Sequence, residues 1–198
     1  VTSPAVSPRS NPIGRFASPV VLLAAMWIIQ FADALLPGSF TGFGLRSWDL
    51  SGLVGIALGP LLHADWAHLI ANSVPLLVLG CLVAVEGARR FWAVTAIVAI
   101  IGGAGTWLLN APGALTVGAS GLVFGYFGYV VMRVFAPGRV PHRVLYAAIA
   151  LIVIVLYGGS MLAGVVGVRD GVSWQAHLFG AIGGGLAALT GRRGTRSG

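Results

Sequence analysis

The stretch Val117-Gly-Ala-Ser-Gly-Leu-Val-Phe-Gly-Tyr-Phe-Gly-Tyr-Val-Val-Met-Arg-Val-Phe135 decides how this chain is read. It is apolar along nearly its whole length, and that length approaches the ~20 residues a bilayer-spanning helix needs. Glycine recurs at 118, 121, 125 and 128. The spacing of 3, 4 and 3 draws one small-residue stripe along a helix face, where another backbone can approach closely. At the start of the run stands Ser120, a polar group inside an apolar segment and so a functional candidate by default.

The surrounding chain has the same character. Of 198 residues only 17 are charged, 12 Arg and 5 acids, or 9%, against ~25% in soluble domains. Apolar residues make up 57% and the mean hydropathy is +0.92. So few charges cannot cover a soluble fold of this size. The composition excludes a soluble enzyme, a disordered chain and an ordinary nucleic-acid module. The single Cys81 excludes an internal disulfide framework and a multi-Cys metal site. What remains is an all-α polytopic membrane protein.

Six spans are predicted: Val20 to Leu36, Trp66 to Glu86, Phe91 to Leu109, Val117 to Phe135, Val144 to Ala163 and Val172 to Leu189. Arg89 and Arg90 stop the second. The segment Gly38 to Asp65 carries Arg46, Trp48, Asp49 and Pro60 and is too mixed to span. Residues 1–19 hold four Pro and four Ser and read as a flexible tail. Residues 20–189 read as one six-helix domain, and residues 190–198 as a basic tail with Arg192, Arg193 and Arg196.

Six spans put both termini on one side. Ten of the twelve Arg fall on that side, and only Arg46 and Arg169 on the other. By the positive-inside bias both termini are expected in the cytoplasm. The net charge of +7 is thus a topology signal together with attraction to anionic lipid, and no nucleic-acid partner is expected.

Ionisable or strongly polar groups inside spans are costly and mark function by default. His68 and Asn72 lie early in the second span, Ser120 begins the fourth, and His177 lies early in the sixth. All three of these spans enter from the non-cytoplasmic side. At ~1.5 Å per residue, His68, Ser120 and His177 fall within roughly 10 Å of one surface. A Ser and a His at one depth suggest nucleophile and general base. Metal ligation by the two His and Asn72 is the weaker reading, because no HExxH helix accompanies them. Interhelical hydrogen bonding is the bland alternative. In the sixth span Ala176, Gly180, Gly184 and Ala188 recur every four residues. Packing that stripe on the glycines of the fourth span would bring the Ser120 hydroxyl to the His177 ring.

At these residues the chain resembles the rhomboid intramembrane serine proteases. Gly118-Ala-Ser-Gly121 matches the GxSG nucleophile motif, and Ala176-His-Leu-Phe-Gly180 matches AHxxG. His63-Ala-Asp-Trp-Ala-His68-Leu-Ile-Ala-Asn72 matches a leading His followed by HxxxN. The resemblance covers about Val20 to Leu189. It implies a Ser120–His177 dyad without cofactor or metal, and an oxyanion met by the Ser120 N–H, His68 and Asn72. It also implies transmembrane protein substrates, reached from the lipid bilayer and cleaved near the non-cytoplasmic side. The fifth helix and its loop, Gly164 to Ser173, would form a gate.

Two departures stand out. Where the family often has Tyr four residues after the nucleophile, this chain has Phe124, which keeps the ring and loses the hydroxyl. The Trp-Arg pair of the family's first loop is replaced by Arg46 and Trp48. Asp33 is the rival for a third catalytic member, and a loop-anchoring role is favoured for it. The expected activity is an intramembrane serine endopeptidase of a bacterial cell membrane. The alternatives are a catalytically inactive binding or trafficking protein on the same fold and a small transporter. The inner halves of the fourth and sixth spans lack the continuing polar groups that a transporter would need.

Overall fold

The structure is a computed structural model, and it describes residues 14–136, 143–166 and 173–190. Six long helices carry the fold: α1 (Ala17–Leu35), α3 (Trp66–Ala84), α4 (Ala88–Leu109), α5 (Ser120–Phe135), α6 (Arg143–Val166) and α7 (Trp174–Leu189). They fall on the six predicted runs, with ends that differ by up to three residues: α5 starts at Ser120 and not Val117, and α6 runs on to Val166. Three of them, α1 with its preceding turn, α3 and α4, are long and apolar enough to cross a membrane by length and composition alone. The helices α5 and α7 have 16 residues each.

The connecting segment after α1 does not span. It folds into short 3-10 turns, the four-residue helix α2 (Gly55–Leu58), and β1 (Leu45–Arg46). This last strand pairs antiparallel with β2 (Leu115–Thr116), in the register Leu45↔Thr116 and Arg46↔Leu115. The pairing departs from an all-helical chain, and it ties the first loop to the segment leading into Ser120. Trp48 takes a positive φ of 64°. Its indole N–H donates to the Asn110 carbonyl at 3.1 Å and its ring stacks on Trp107.

Two of these shifts have a local cause. Residues 14–19, read as part of the tail, are helical. Pro19 sits in the first turn of α1, where a missing N–H removes no hydrogen bond. Arg15 donates to the Val85 carbonyl at 3.0 Å, just past the end of α3. Arg89 and Arg90 open α4, because the chain already turns at Gly87, whose φ is +105°. Residues 1–13 and 191–198, which carry the rest of the predicted tails, lie outside the described residues.

The closest packing is between α5 and α7, followed by α4 and α7. The small-residue stripes make it possible. A Cβ built on Gly180 would collide with the Gly121 carbonyl, and one on Gly184 with the Gly125 carbonyl. Any side chain at these two places would force the helices apart.

At the far end from Ser120, a polar cluster fastens the bundle. Arg133 on α5 donates to both carboxylate oxygens of Glu86, at 2.8 and 3.0 Å. The Tyr129 and Tyr146 hydroxyls donate to Glu86 Oε1 at 3.0 and 2.9 Å. Arg90 donates to the Tyr129 hydroxyl at 3.0 Å, and its guanidinium also bonds the Ala187 carbonyl. Five helix ends meet there: those of α3, α4, α5, α6 and α7.

Candidate active site

The helices α3, α5 and α7 run in the same direction, so their N-terminal turns meet at one end of the bundle. Local capping fixes where each begins. Asp65 caps α3, its carboxylate accepting from the His68 N–H at 2.7 Å. Ser173 caps α7, its hydroxyl accepting from the Ala176 N–H at 3.3 Å. Each cap satisfies an orphan N–H of the first turn, and each thereby starts its helix just before a histidine. The helix α5 begins at Ser120 itself, with Ala119 before it.

The structure brings Ser120 and His177 together. Ser120 Oγ and His177 Nε2 lie 2.9 Å apart, inside the range for proton transfer. His177 is 6% exposed. Phe124 lies one turn into α5 and stacks flat on the His177 ring, with centroids 4.1 Å apart and planes within 2°. The ring kept at that position therefore faces the imidazole, as expected without the hydroxyl.

His68 and Asn72 come to the same place from α3. A Cβ on Gly118 would lie 2.6 Å from His68 Nε2, so the ring lies directly against the nucleophile loop. Gly118 has a φ of +110°, a region that residues with side chains rarely enter. Asn72 is 8% exposed, and its side-chain N–H₂ group has no hydrogen-bond partner among the described residues. Both side chains line a cavity of about 710 Å³ together with Ser120, His177, Gly118 and Thr106.

Asp33 lies elsewhere. Its carboxylate accepts from the Phe40 N–H and so anchors the loop after α1. Among the described residues no group of three or more His, Cys, Asp or Glu gathers at metal-binding distance. The predicted gate loop lies largely outside the described residues, at 167–172.

Two features escaped the sequence reading. Arg133 and Glu86 each sit at a helix end, where topology alone explains a charge, yet they pair across 47 positions. His63, read only as the leading His of a pattern, accepts from the Ala119 N–H at 3.3 Å. It is 2% exposed. Burial pushes its imidazole down to about 4, and the nearby His68 adds to that, so it stays neutral. A contact across 56 positions leaves no local signal in the sequence.

The fold and this paired serine and histidine define a multi-pass integral membrane protein with a polar site at one end of its helix bundle. The chain belongs to the rhomboid family: residues 50–194 match the Rhomboid domain. Its relatives are bacterial. A Bacillus subtilis protein named "Putative rhomboid protease YdcA" is 32% identical over 198 residues, covering 91% of this chain and 89% of that protein. Uncharacterized proteins of Mycobacterium tuberculosis and Mycobacterium leprae are each 40% identical over 176 residues, 85% of this chain. The aligned part is 72% of the first and 68% of the second.

Proposed function

We propose that this protein is an intramembrane serine endopeptidase that cleaves transmembrane segments of other membrane proteins near the non-cytoplasmic side. In this reading all six long helices span the membrane, both termini are cytoplasmic, and the host membrane is a bacterial cell membrane. The observation that carries the reading is the 2.9 Å contact of Ser120 Oγ with His177 Nε2, beside an unpartnered Asn72 amide in the same cavity.

The chemistry follows from the geometry. For His177 Nε2 to accept a proton, the resting imidazole carries its own on Nδ1. Ser120 Oγ attacks the peptide carbonyl carbon as its proton passes to Nε2. The negative charge that develops on the carbonyl oxygen is best met by donors already in place and aimed where it will sit. The N–H of Ser120 is the first of its helix and has no acceptor within it. The Asn72 amide and a His68 ring N–H are the further donors. One such donor is typically worth about 10²–10³ in rate. The C–N bond breaks as the imidazolium returns its proton to the leaving nitrogen. Water then repeats the sequence on the Ser120 ester and frees the acid. A substrate helix must unwind locally to present a carbonyl, since a closed helix occupies its own.

Labelling with a serine-directed fluorophosphonate tests the reading, using purified protein in detergent beside Ser120→Ala and His177→Ala. Wild type should label and both variants should not. An unlabelled wild type would leave the chain as a binding protein on the rhomboid fold, and labelling undiminished in Ser120→Ala would place the reaction elsewhere. The oxyanion role is read separately from Asn72→Ala, which should label slowly with Ser120 intact. An unaffected rate removes Asn72 from the site.

A further inference from the structure

Three peptide N–H groups follow one another where the chain turns into α5. That of Gly118 donates to the Gly59 carbonyl at 2.9 Å. That of Ala119 donates to His63 Nε2 at 3.3 Å. The third, of Ser120, opens the helix. The first two bonds come from one short segment, residues 59–63, and they set the tilt of the peptide planes that lead to the nucleophile.

With Nε2 accepting, the proton lies on Nδ1, on the side of the Leu61 backbone. An apolar side chain at position 63 could not meet the Ala119 N–H. The same ring packs edge-on against His68, with centroids 5.2 Å apart. His63 thus braces both sides of the site: the loop that carries Ser120 and the imidazole facing Gly118.

Resting on the protease reading above, we propose that His63 is a positioning residue: its Nε2 bond to the Ala119 N–H fixes the Gly118–Ala119 peptide plane and so aims the Ser120 N–H and Oγ at the reacting carbonyl. His63 transfers no proton and touches no substrate. Its effect passes through the backbone, where a displacement of about 1 Å can cost about 10²-fold in rate.

The full chain in detergent provides the test, with His63→Leu and His63→Gln beside wild type. Gln offers an acceptor at comparable reach, while Leu fills the space without one. Fluorophosphonate labelling is followed against probe concentration, which separates probe affinity from the maximal rate. His63→Leu should lower the maximal rate about 10²-fold with affinity changed less than about two-fold, and His63→Gln should recover most of the loss. His63→Leu labelling at the wild-type rate overturns the inference. So does His63→Gln as slow as His63→Leu at equal Tm, because only packing would then be at stake. Should His63→Leu fail to fold, amide exchange in wild type decides: the Ala119 N–H should exchange at least about tenfold more slowly than the Ser120 N–H. Equal exchange overturns the inference. An unlabelled wild type removes the protease reading and this role with it. A labelled wild type with an unaffected His63→Leu removes this role alone.

Discussion

Substituting Gly118 by Ala tests how closely the nucleophile loop and His68 depend on each other. The new Cβ would lie 2.5 Å from His68 Cε1 and 2.6 Å from Nε2, where ordinary contact begins near 3.4 Å. The ring must therefore retreat by about 0.9 Å, or the loop must move by as much. A φ of +110° adds backbone strain of about 1–3 kcal/mol for a residue with a side chain. Moving an oxyanion donor by about 1 Å costs about 10²-fold in rate. Fluorophosphonate labelling of Ser120 should therefore slow about 10²-fold in Gly118→Ala, in protein that still melts cooperatively at a lowered Tm. A second comparison assigns the cause. If the loss comes from displacing the ring, Gly118→Ala combined with His68→Ala should label no more slowly than His68→Ala alone, because coupled changes do not add. Labelling of Gly118→Ala at the wild-type rate would refute the reasoning. Full multiplication of the two losses would show that backbone strain, and not His68, carries the effect.

Three further outcomes are expected. Phe124→Leu removes a flat stack on His177 worth about 0.5–1.5 kcal/mol, so maximal labelling should fall about two- to tenfold while Phe124→Tyr keeps it; an unchanged rate in Phe124→Leu would mean the ring does not hold the imidazole. Glu86→Gln leaves the part-buried Arg133 guanidinium without its carboxylate and should lower Tm while Ser120 still labels below it; an unmoved Tm counts against the cluster as a fastening. Burial holds the His63 imidazole down to about 4 in the folded protein, below the ordinary histidine value of about 6.5. As pH falls the unfolded chain takes the proton first, so stability is complete above pH 6.5 and is lost towards pH 4, by about 3 kcal/mol in all. His63→Gln should lessen the fall in Tm over that window, and an identical fall in both proteins would refute it.

The helices were legible because each long apolar run has one explanation. The meeting of Ser120 and His177 was legible too, since glycine every three or four residues on two runs states which faces can approach. Helix starts were less so. Pro19 and Ser18 look like tail residues until the first turn of α1 is seen to tolerate both. The Glu86–Arg133 pair was hidden because each charge already had a sufficient reason to stand at a membrane edge. His63 was hidden for a different reason. Its partner is a backbone N–H, and a peptide group has no identity in a sequence. The strands β1 and β2, two residues each, are too short for any alternating pattern to announce them.

The lengths of α5 and α7 act as a ruler. Sixteen residues each give about 24 Å of helix, whereas a span of ordinary length covers about 30 Å. The Glu86 cluster ties these two helices to the ends of α3, α4 and α6, and their opposite ends carry Ser120 and His177. A full-length helix laid alongside would exceed either one by about 6 Å, close to one turn.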